Sequence, residues 1–185
     1  MNTVILTDHI ETPIGPMLLM MRDERIIGLE FDDQPERYLK DLHHRFGDFA
    51  FKETANPCGF SDRLRAYYAG DIRTVDDLPT DGGGTPFQER VWAELRRIPA
   101  STTISYGELA VRLGDKKATR AVGLANGRNP ISVVVPCHRV IGADGSLTGY
   151  GGGVPRKKWL LAHEGVTLRD TGRADRQADL FSGGF

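Results

Sequence analysis

Two tetrapeptides, Thr85-Pro-Phe-Gln88 and Ser105-Tyr-Gly-Glu108, each place a hydroxyl residue three positions before a side chain able to reach back to its backbone. In such a capping box the hydroxyl and the returning Gln or Glu each satisfy an orphan N–H at a helix start, so the two boxes fix where two helices begin. Pro86 adds a residue pre-set for the first helical position, and Phe87, Val91 and Leu95 then share one face. The second helix runs through Leu109 and Leu113 to Gly114. A third is predicted over roughly 116–126, stopping at Gly127. Two short helices joined by a tight glycine turn predict a helix-turn-helix.

The chain before these boxes has a different character. Thr12 to Pro16 (TPIGP) predicts a turn, MLLMM a strand, RDER a second turn and IIGLEF a second strand. Tyr38, Leu42 and Phe46, spaced by four, predict an amphipathic helix from Gln34 to Phe46, and Leu64 with Tyr68 marks one face of another from Ser61 to Ala69. The glycines Gly82 to Gly84 interrupt the pattern and read as a linker. The expectation is an α+β protein. An N-terminal α/β unit with a small antiparallel sheet occupies 1–80, and a linker 81–84. A mainly helical C-terminal domain with a winged-helix-like helix-turn-helix occupies 85–165, and a flexible tail 166–185.

Charge divides along the same line. Met1 to Gly84 holds 9 basic and 16 acidic residues, whereas Ser105 to Gly165 holds 9 basic and 4 acidic ones, so a net charge of -1 conceals a basic C-terminal half. That half suits a polyanion, although a solvated basic face accounts for such a count as well. The opening MNTVILTDHIETP lacks the basic start and apolar core of a signal peptide, and no apolar run approaches the roughly 20 residues of a membrane helix, so a cytoplasmic protein with no membrane partner is expected. With only Cys58 and Cys137, neither a disulfide framework nor a four-cysteine zinc site can be built, and the five histidines show no ligand spacing. No metal is expected.

The stretch Val133 to Gly142 reads VVVPCHRVIG. Three β-branched residues predict a buried strand, and Pro136 biases Val135 toward extended backbone, so Cys137 is expected at the strand's end. If Cys137 and His138 both stayed extended, their side chains would point to opposite faces, and a thiol–imidazole contact would need a turn or a bridging water. A thiol with an ordinary pKa near 8.5 needs a basic or cationic neighbour to ionise at neutral pH, and His138 and Arg139 can supply one. A base that takes a proton benefits from a carboxylate that orients it. Glu164, at the end of a helix begun by Pro155 and anchored by Trp159, Leu160 and Ala162, is the best candidate. Against these readings stand a buried structural cysteine and a solvated helix-end acid.

Taken together, NPISVVVPCHRVIG, GSLTGYGGG and WLLAHEG, preceded in order by FQERVWAELRRIP, SYGELA and ATRAVGLANGRNP, resemble the O6-alkylguanine-DNA alkyltransferases. These proteins repair alkylated guanine by moving the alkyl group onto themselves. The resemblance is close from Thr85 to Gly165 and looser from Thr12 to Phe31. It implies that Cys137 is the alkyl acceptor, that His138 draws off its proton through a water, that Glu164 polarises His138, and that Asn129 braces the turn before the cysteine. It further implies that Tyr106 donates to the flipped guanine and that Arg120 fills the vacated place in the stack. Ala121 belongs to the face entering the minor groove, Val140 offers its carbonyl to the guanine amine, Tyr150 stacks on the base, and the Gly151 amide faces O6; Arg139 is placed with this DNA-binding set.

The partner so implied is double-stranded DNA containing O6-alkylguanine, with O4-alkylthymine left open. The protein is expected to be a monomer, with cooperative assembly on DNA also left open. A thioether product has no carbonyl for water to attack, so the reaction stops after one turnover and needs no cofactor. The four-cysteine zinc domain of some relatives is excluded here. Three rivals stand beside this reading: a binder of alkylated guanine that does not repair it, a cysteine hydrolase and a helix-turn-helix regulator. Each differs from it in stoichiometry or in sequence preference.

Overall fold

A computed structural model describes residues Thr3 to Arg169, which fall into two compact units. The first comprises 1–83 together with Pro130–Val134, and the second comprises 84–129 and the chain from Val135 onward. The segment leading to the cysteine belongs to the first unit, so the second is not continuous in sequence. Asp81 is tied down rather than free: its N–H donates to the Ile26 carbonyl at 2.9 Å and its carbonyl accepts from Arg45 Nη2 at 3.1 Å. At Gly83 the backbone is left-handed (φ +63°), and a Cβ there would fall 2.2 Å from Arg45 Nε.

In the first unit, strands β1 (Thr3–Ile10), β2 (Met17–Arg22), β3 (Arg25–Phe31) and β4 (Phe49–Glu53) form one sheet in the order β3-β2-β1-β4. The predicted hairpin is β2–β3, closed by Asp23 and Glu24, both at positive φ, which suits the right-handed twist of a two-residue turn. Two strands were not foreseen. β1 pairs antiparallel to β2 across the TPIGP turn, and β4 pairs parallel to β1, so the sheet is mixed rather than antiparallel. Helix α1 (Pro35–Phe46) lays Tyr38 and Leu42 on Ile5, Leu18, Met20 and Ile27, as its period predicts, with Phe46 at the margin. In α2 (Phe60–Tyr68) the residues buried are Phe60, Ser61, Leu64 and Tyr67; Tyr68 lies at the side, donating to Met17 Sδ at 3.1 Å.

Glu30, on β3, is 5% exposed. Burial pushes its carboxyl up to about 7; Arg37, with Nε 3.4 Å from Oε1, pulls the other way, and Asp41 adds to the rise. The folded chain therefore holds this proton more tightly than the unfolded chain does. The group favours folding fully below about pH 4.5, and that advantage is lost as the pH rises to about 7. Glu30→Gln is accordingly expected to exceed the wild type in stability at about pH 8 by up to about 3 kcal/mol. The gain should shrink toward about pH 4.5, as denaturant titrations at the two pH values will read.

The second unit opens with α3 (Pro86–Leu95) and α4 (Tyr106–Arg112), and both capping boxes are formed: Thr85 N–H donates to Gln88 Oε1 at 2.9 Å, and Ser105 N–H donates to Glu108 Oε2 at 2.6 Å. After Gly114 (φ +89°) the predicted third helix divides into a 3-10 turn, Lys116–Ala118, and α5 (Thr119–Gly127). Asp115 caps the 3-10 turn by accepting from Lys117 N–H at 2.9 Å. A two-stranded parallel ribbon joins β5 (Ile104–Ser105) to β6 (Val140–Ile141). Helix α6 (Val154–His163) anchors through Lys157, Leu160 and Leu161, whereas Ala162 is exposed and Trp159 stacks on His163. The start of the expected flexible tail is packed: Val166 is buried with Ile141, Leu147 and Leu161, and Leu168 lies against them. The remainder of that tail, 170–185, lies outside the described residues.

Candidate active site

The VVVP segment is not a strand. Ile131 makes a single bridge to Leu29, and the chain then turns twice. Val134 N–H donates to the Ser132 carbonyl at 2.8 Å around Val133, whose φ of +72° is a left-handed conformation a β-branched residue rarely adopts. Cys137 N–H donates to the Val135 carbonyl, also at 2.8 Å, around Pro136 (φ −81°, ψ 63°), an inverse γ-turn. Proline has no N–H to offer a ladder, and its fixed φ already suits that turn. Asn129, 1% exposed, locks the arrangement: its Nδ2 donates to the same Val135 carbonyl at 2.8 Å.

Cys137–Arg139 forms a 3-10 turn, so the chain does not stay extended through the cysteine and histidine. Cys137 is 6% exposed, and His138 and Glu164 are sealed from solvent. His138 Nε2 lies 2.9 Å from Glu164 Oε1; Arg139 Nε donates to Glu164 Oε2 at 2.9 Å and Nη2 to Oε1 at 2.8 Å. Burial by itself would raise the Glu164 carboxyl, but His138 and the Arg139 fork overcome it and hold the acid well below the ordinary carboxylate range. Burial lowers His138; Glu164 opposes this, while Arg139 and Lys157 reinforce it. These directions favour a neutral imidazole beside an ionised carboxylate. Since that carboxylate only accepts, Nε2 carries the proton and the Nδ1 lone pair is left as the base. Nδ1 is buried without a hydrogen-bond partner.

Arg139 does not face DNA, as the sequence reading placed it. It is 3% exposed, with Nη1 on the Ile98 carbonyl at 2.6 Å and the rest of its fork on Glu164. As the last residue of the 3-10 turn it points inward, where it fixes the carboxylate.

Two residues the sequence reading passed over join the cluster. Lys157 is fully buried, its Nζ donating to the Val140 carbonyl at 2.5 Å and the Thr148 carbonyl at 2.9 Å, and burial pulls it down to about 8 even though Cys137 nearby favours the charged form. Asn126, 2% exposed, sends Nδ2 toward the Cys137 carbonyl at 3.5 Å. Both were legible by period, because Lys157 stands four before Leu161 and Asn126 four after Val122 on helix faces that turn inward. The Val140 carbonyl, expected to meet guanine, already accepts from Lys157.

Tyr106 begins α4, and its hydroxyl donates to the Thr148 carbonyl at 3.1 Å; burial first, and Cys137 second, push it up to about 12. Tyr106, Tyr150 and Gly151 line one open cavity of about 520 Å³ with Thr119, Gly123 and Gly149. Gly149 (φ +67°) is needed there, since a Cβ would meet the Tyr106 hydroxyl at 3.3 Å. Arg120 and Ala121 lie elsewhere, exposed on α5, while Val122 and Ala125 pack inward and Ala125 accepts from Trp92 Nε1 at 2.9 Å. The small residues thus serve two faces: Ala125 the core, Ala121 the surface. Among the described residues, no group of three His, Cys, Asp or Glu side chains could hold a metal.

Known proteins match this arrangement. The family model for the DNA-binding domain of 6-O-methylguanine DNA methyltransferase matches residues 86–166. The methylated-DNA--protein-cysteine methyltransferase of Shigella flexneri is 49% identical, covering 89% of this chain and 98% of its own. That of Methanosarcina acetivorans is 44% identical over 84% of this chain and 95% of its own. The crystal structure of Mycobacterium tuberculosis OGT in complex with DNA aligns with a TM-score of 0.73 at 43% identity, covering 86% of this chain and 92% of the other. Identity of that extent, over nearly the whole of both chains, establishes that this chain belongs to the methylated-DNA--protein-cysteine methyltransferase family.

Proposed function

We propose that this protein repairs O6-alkylguanine in double-stranded DNA by transferring the alkyl group to its own Cys137, once per molecule. The observation that carries the reading is the 3-10 turn that presents Cys137 directly before His138, whose Nε2 lies 2.9 Å from a Glu164 carboxylate clamped by Arg139. His138 Nδ1 takes the thiol proton through a water, and the sulfur attacks the alkyl carbon. An S–C bond forms as the C–O6 bond breaks; the electron pair stays with the guanine, which regains a proton. The relayed proton balances that gain. Tyr106, whose hydroxyl stays protonated at neutral pH, turns its hydrogen bond from the Thr148 carbonyl to the everted base, while Tyr150 stacks on it and the Gly151 amide faces O6.

The target carbon is inaccessible inside a duplex, so the base is extruded at a cost of about a few kcal/mol, least for a damaged and poorly paired nucleotide. Arg120 offsets lost stacking, and Ala121, small and exposed on α5, lets that helix approach the floor of the minor groove. Arg112, Lys116, Lys117 and Arg128, all exposed around the helix-turn-helix, supply the phosphate contacts. The protein acts as a monomer in the cytoplasm. No helix among the described residues is long and apolar enough to cross a membrane.

A duplex carrying one O6-methylguanine tests this. Intact mass and peptide mapping are expected to place a single methyl group on the Cys137 peptide with guanine restored. Cys137→Ser is expected to abolish transfer while retaining DNA binding. Turnover beyond one equivalent, or methyl on another residue, overturns the proposal; a non-repairing binder would leave the peptide unmodified.

A further inference from the structure

The cluster around Cys137 contains two buried acceptors that the protein itself does not satisfy. One is His138 Nδ1; the other is Asn126 Oδ1. They belong to different elements, the 3-10 turn and α5, and both border the same peptide, because Asn126 Nδ2 reaches the Cys137 carbonyl at 3.5 Å and His138 is the next residue. The orientation of the Asn126 amide follows from that contact: turned the other way, its oxygen would face the Cys137 carbonyl oxygen. A buried acceptor without a donor gives up its hydration and gains nothing in return. Two beside one nucleophile call for a molecule with two hydrogens to give and a lone pair to receive a third, which is the hydrogen-bonding pattern of water.

We propose that Asn126 is a positioning residue whose Oδ1, together with His138 Nδ1, orients the water that receives the Cys137 proton. The inference rests on the transfer reading above for its purpose and adds a third member to the relay. One water hydrogen points to each acceptor, which turns the oxygen lone pair toward Sγ–H. As the S–H bond breaks, its proton bonds to the water oxygen; the O–H bond toward His138 breaks, that proton bonds to Nδ1, and the water is regenerated. Asn126 accepts throughout and is never protonated, so it acts by orientation alone. Without it a water bound only to Nδ1 turns freely about that bond, and the thiol is ionised less often.

The test uses methyl iodide, small enough for a mostly buried thiol and independent of DNA. Methylation of the Cys137 peptide is followed by mass against pH in the wild type, in Asn126→Leu, which removes the acceptor at similar volume, and in Asn126→Ser, which restores a hydroxyl acceptor. In Asn126→Leu the midpoint of the pH–rate curve is expected to move up by about one pH unit, giving about tenfold slower methylation near pH 7 and equal rates in alkali; Asn126→Ser is expected to recover part of the shift. A role confined to structure would slow methylation equally at all pH values or only lower the melting temperature, and either result overturns the proposal. So does an unchanged midpoint, or a wild-type Cys137 that fails to react near neutrality. Transfer from the O6-methylguanine duplex, run in parallel, reads the repair function separately.

Discussion

Glu164→Gln is expected to lower transfer to Cys137 by about a hundredfold or more and to remove about 3–5 kcal/mol of stability. The carboxylate receives three N–H groups, from His138 Nε2, Arg139 Nε and Arg139 Nη2. An amide replaces one accepting oxygen with a donor. If the NH2 group takes the place of Oε2, it opposes Arg139 Nε–H and leaves a guanidinium buried without its counter-ion. Placed instead at Oε1, it forces His138 to accept at Nε2, which moves the ring proton to Nδ1 and removes the base. Neither orientation preserves both functions. The wild-type carboxyl is held below its ordinary range, so its stabilisation is fully present above the unfolded value near 4.5 and is lost as the pH falls below that. The stability gap between wild type and variant should therefore narrow on acidification through the carboxylate range. Single-turnover kinetics and denaturant titrations at two pH values check both halves. A variant as stable as the wild type at neutral pH would sink the account of the clamp.

How much of this site was legible in the sequence depends on the range of the forces involved. The capping boxes are local and were read correctly, because Thr85–Gln88 and Ser105–Glu108 satisfy each other within one turn whatever surrounds them. The period in Tyr38 and Leu42 was equally readable. Strand β4 was not. Phe49 to Glu53 is mostly exposed and owes its conformation to a parallel ladder with β1, a pairing between distant segments that no local pattern announces. VVVP misled for a sharper reason: three β-branched residues argue for a strand, but Pro136 and the Asn129 amide settle the turn, and Val133 accepts a left-handed backbone to make it. A residue forced against its preference four positions before the nucleophile is where a local rule gives way to tertiary geometry. Arg139 failed as a DNA contact because charge alone says nothing about direction, and only the 3-10 turn shows that it points inward.

Lys157→Met is expected to separate activity from stability in a way Glu164→Gln does not. Met keeps the volume of the lysine stem inside a fully buried slot. The folded chain holds Lys157 down to about 8, against 10.5 ordinarily, so it binds this proton less tightly than the unfolded chain. The group's contribution is favourable above about pH 10.5 and is lost as the pH falls through about 8. Near pH 7 the ammonium thus costs about 3 kcal/mol. Removing it recovers that cost but strands the Val140 and Thr148 carbonyls, each at about 1–3 kcal/mol, so the net change in stability should stay within about 2 kcal/mol. The chemistry has no such offset. The cation beside Cys137, 5.9 Å from the Tyr106 ring centroid, is lost, and so is the tie between β6 and the Thr148 carbonyl to which Tyr106 donates. Transfer should slow by at least about tenfold near pH 7, with the pH–rate curve displaced upward because the thiolate has lost a neighbouring positive charge. Melting curves and single-turnover rates on the same samples decide it, and a variant with the wild-type pH profile would show that Lys157 holds the loop but leaves the sulfur's ionisation untouched.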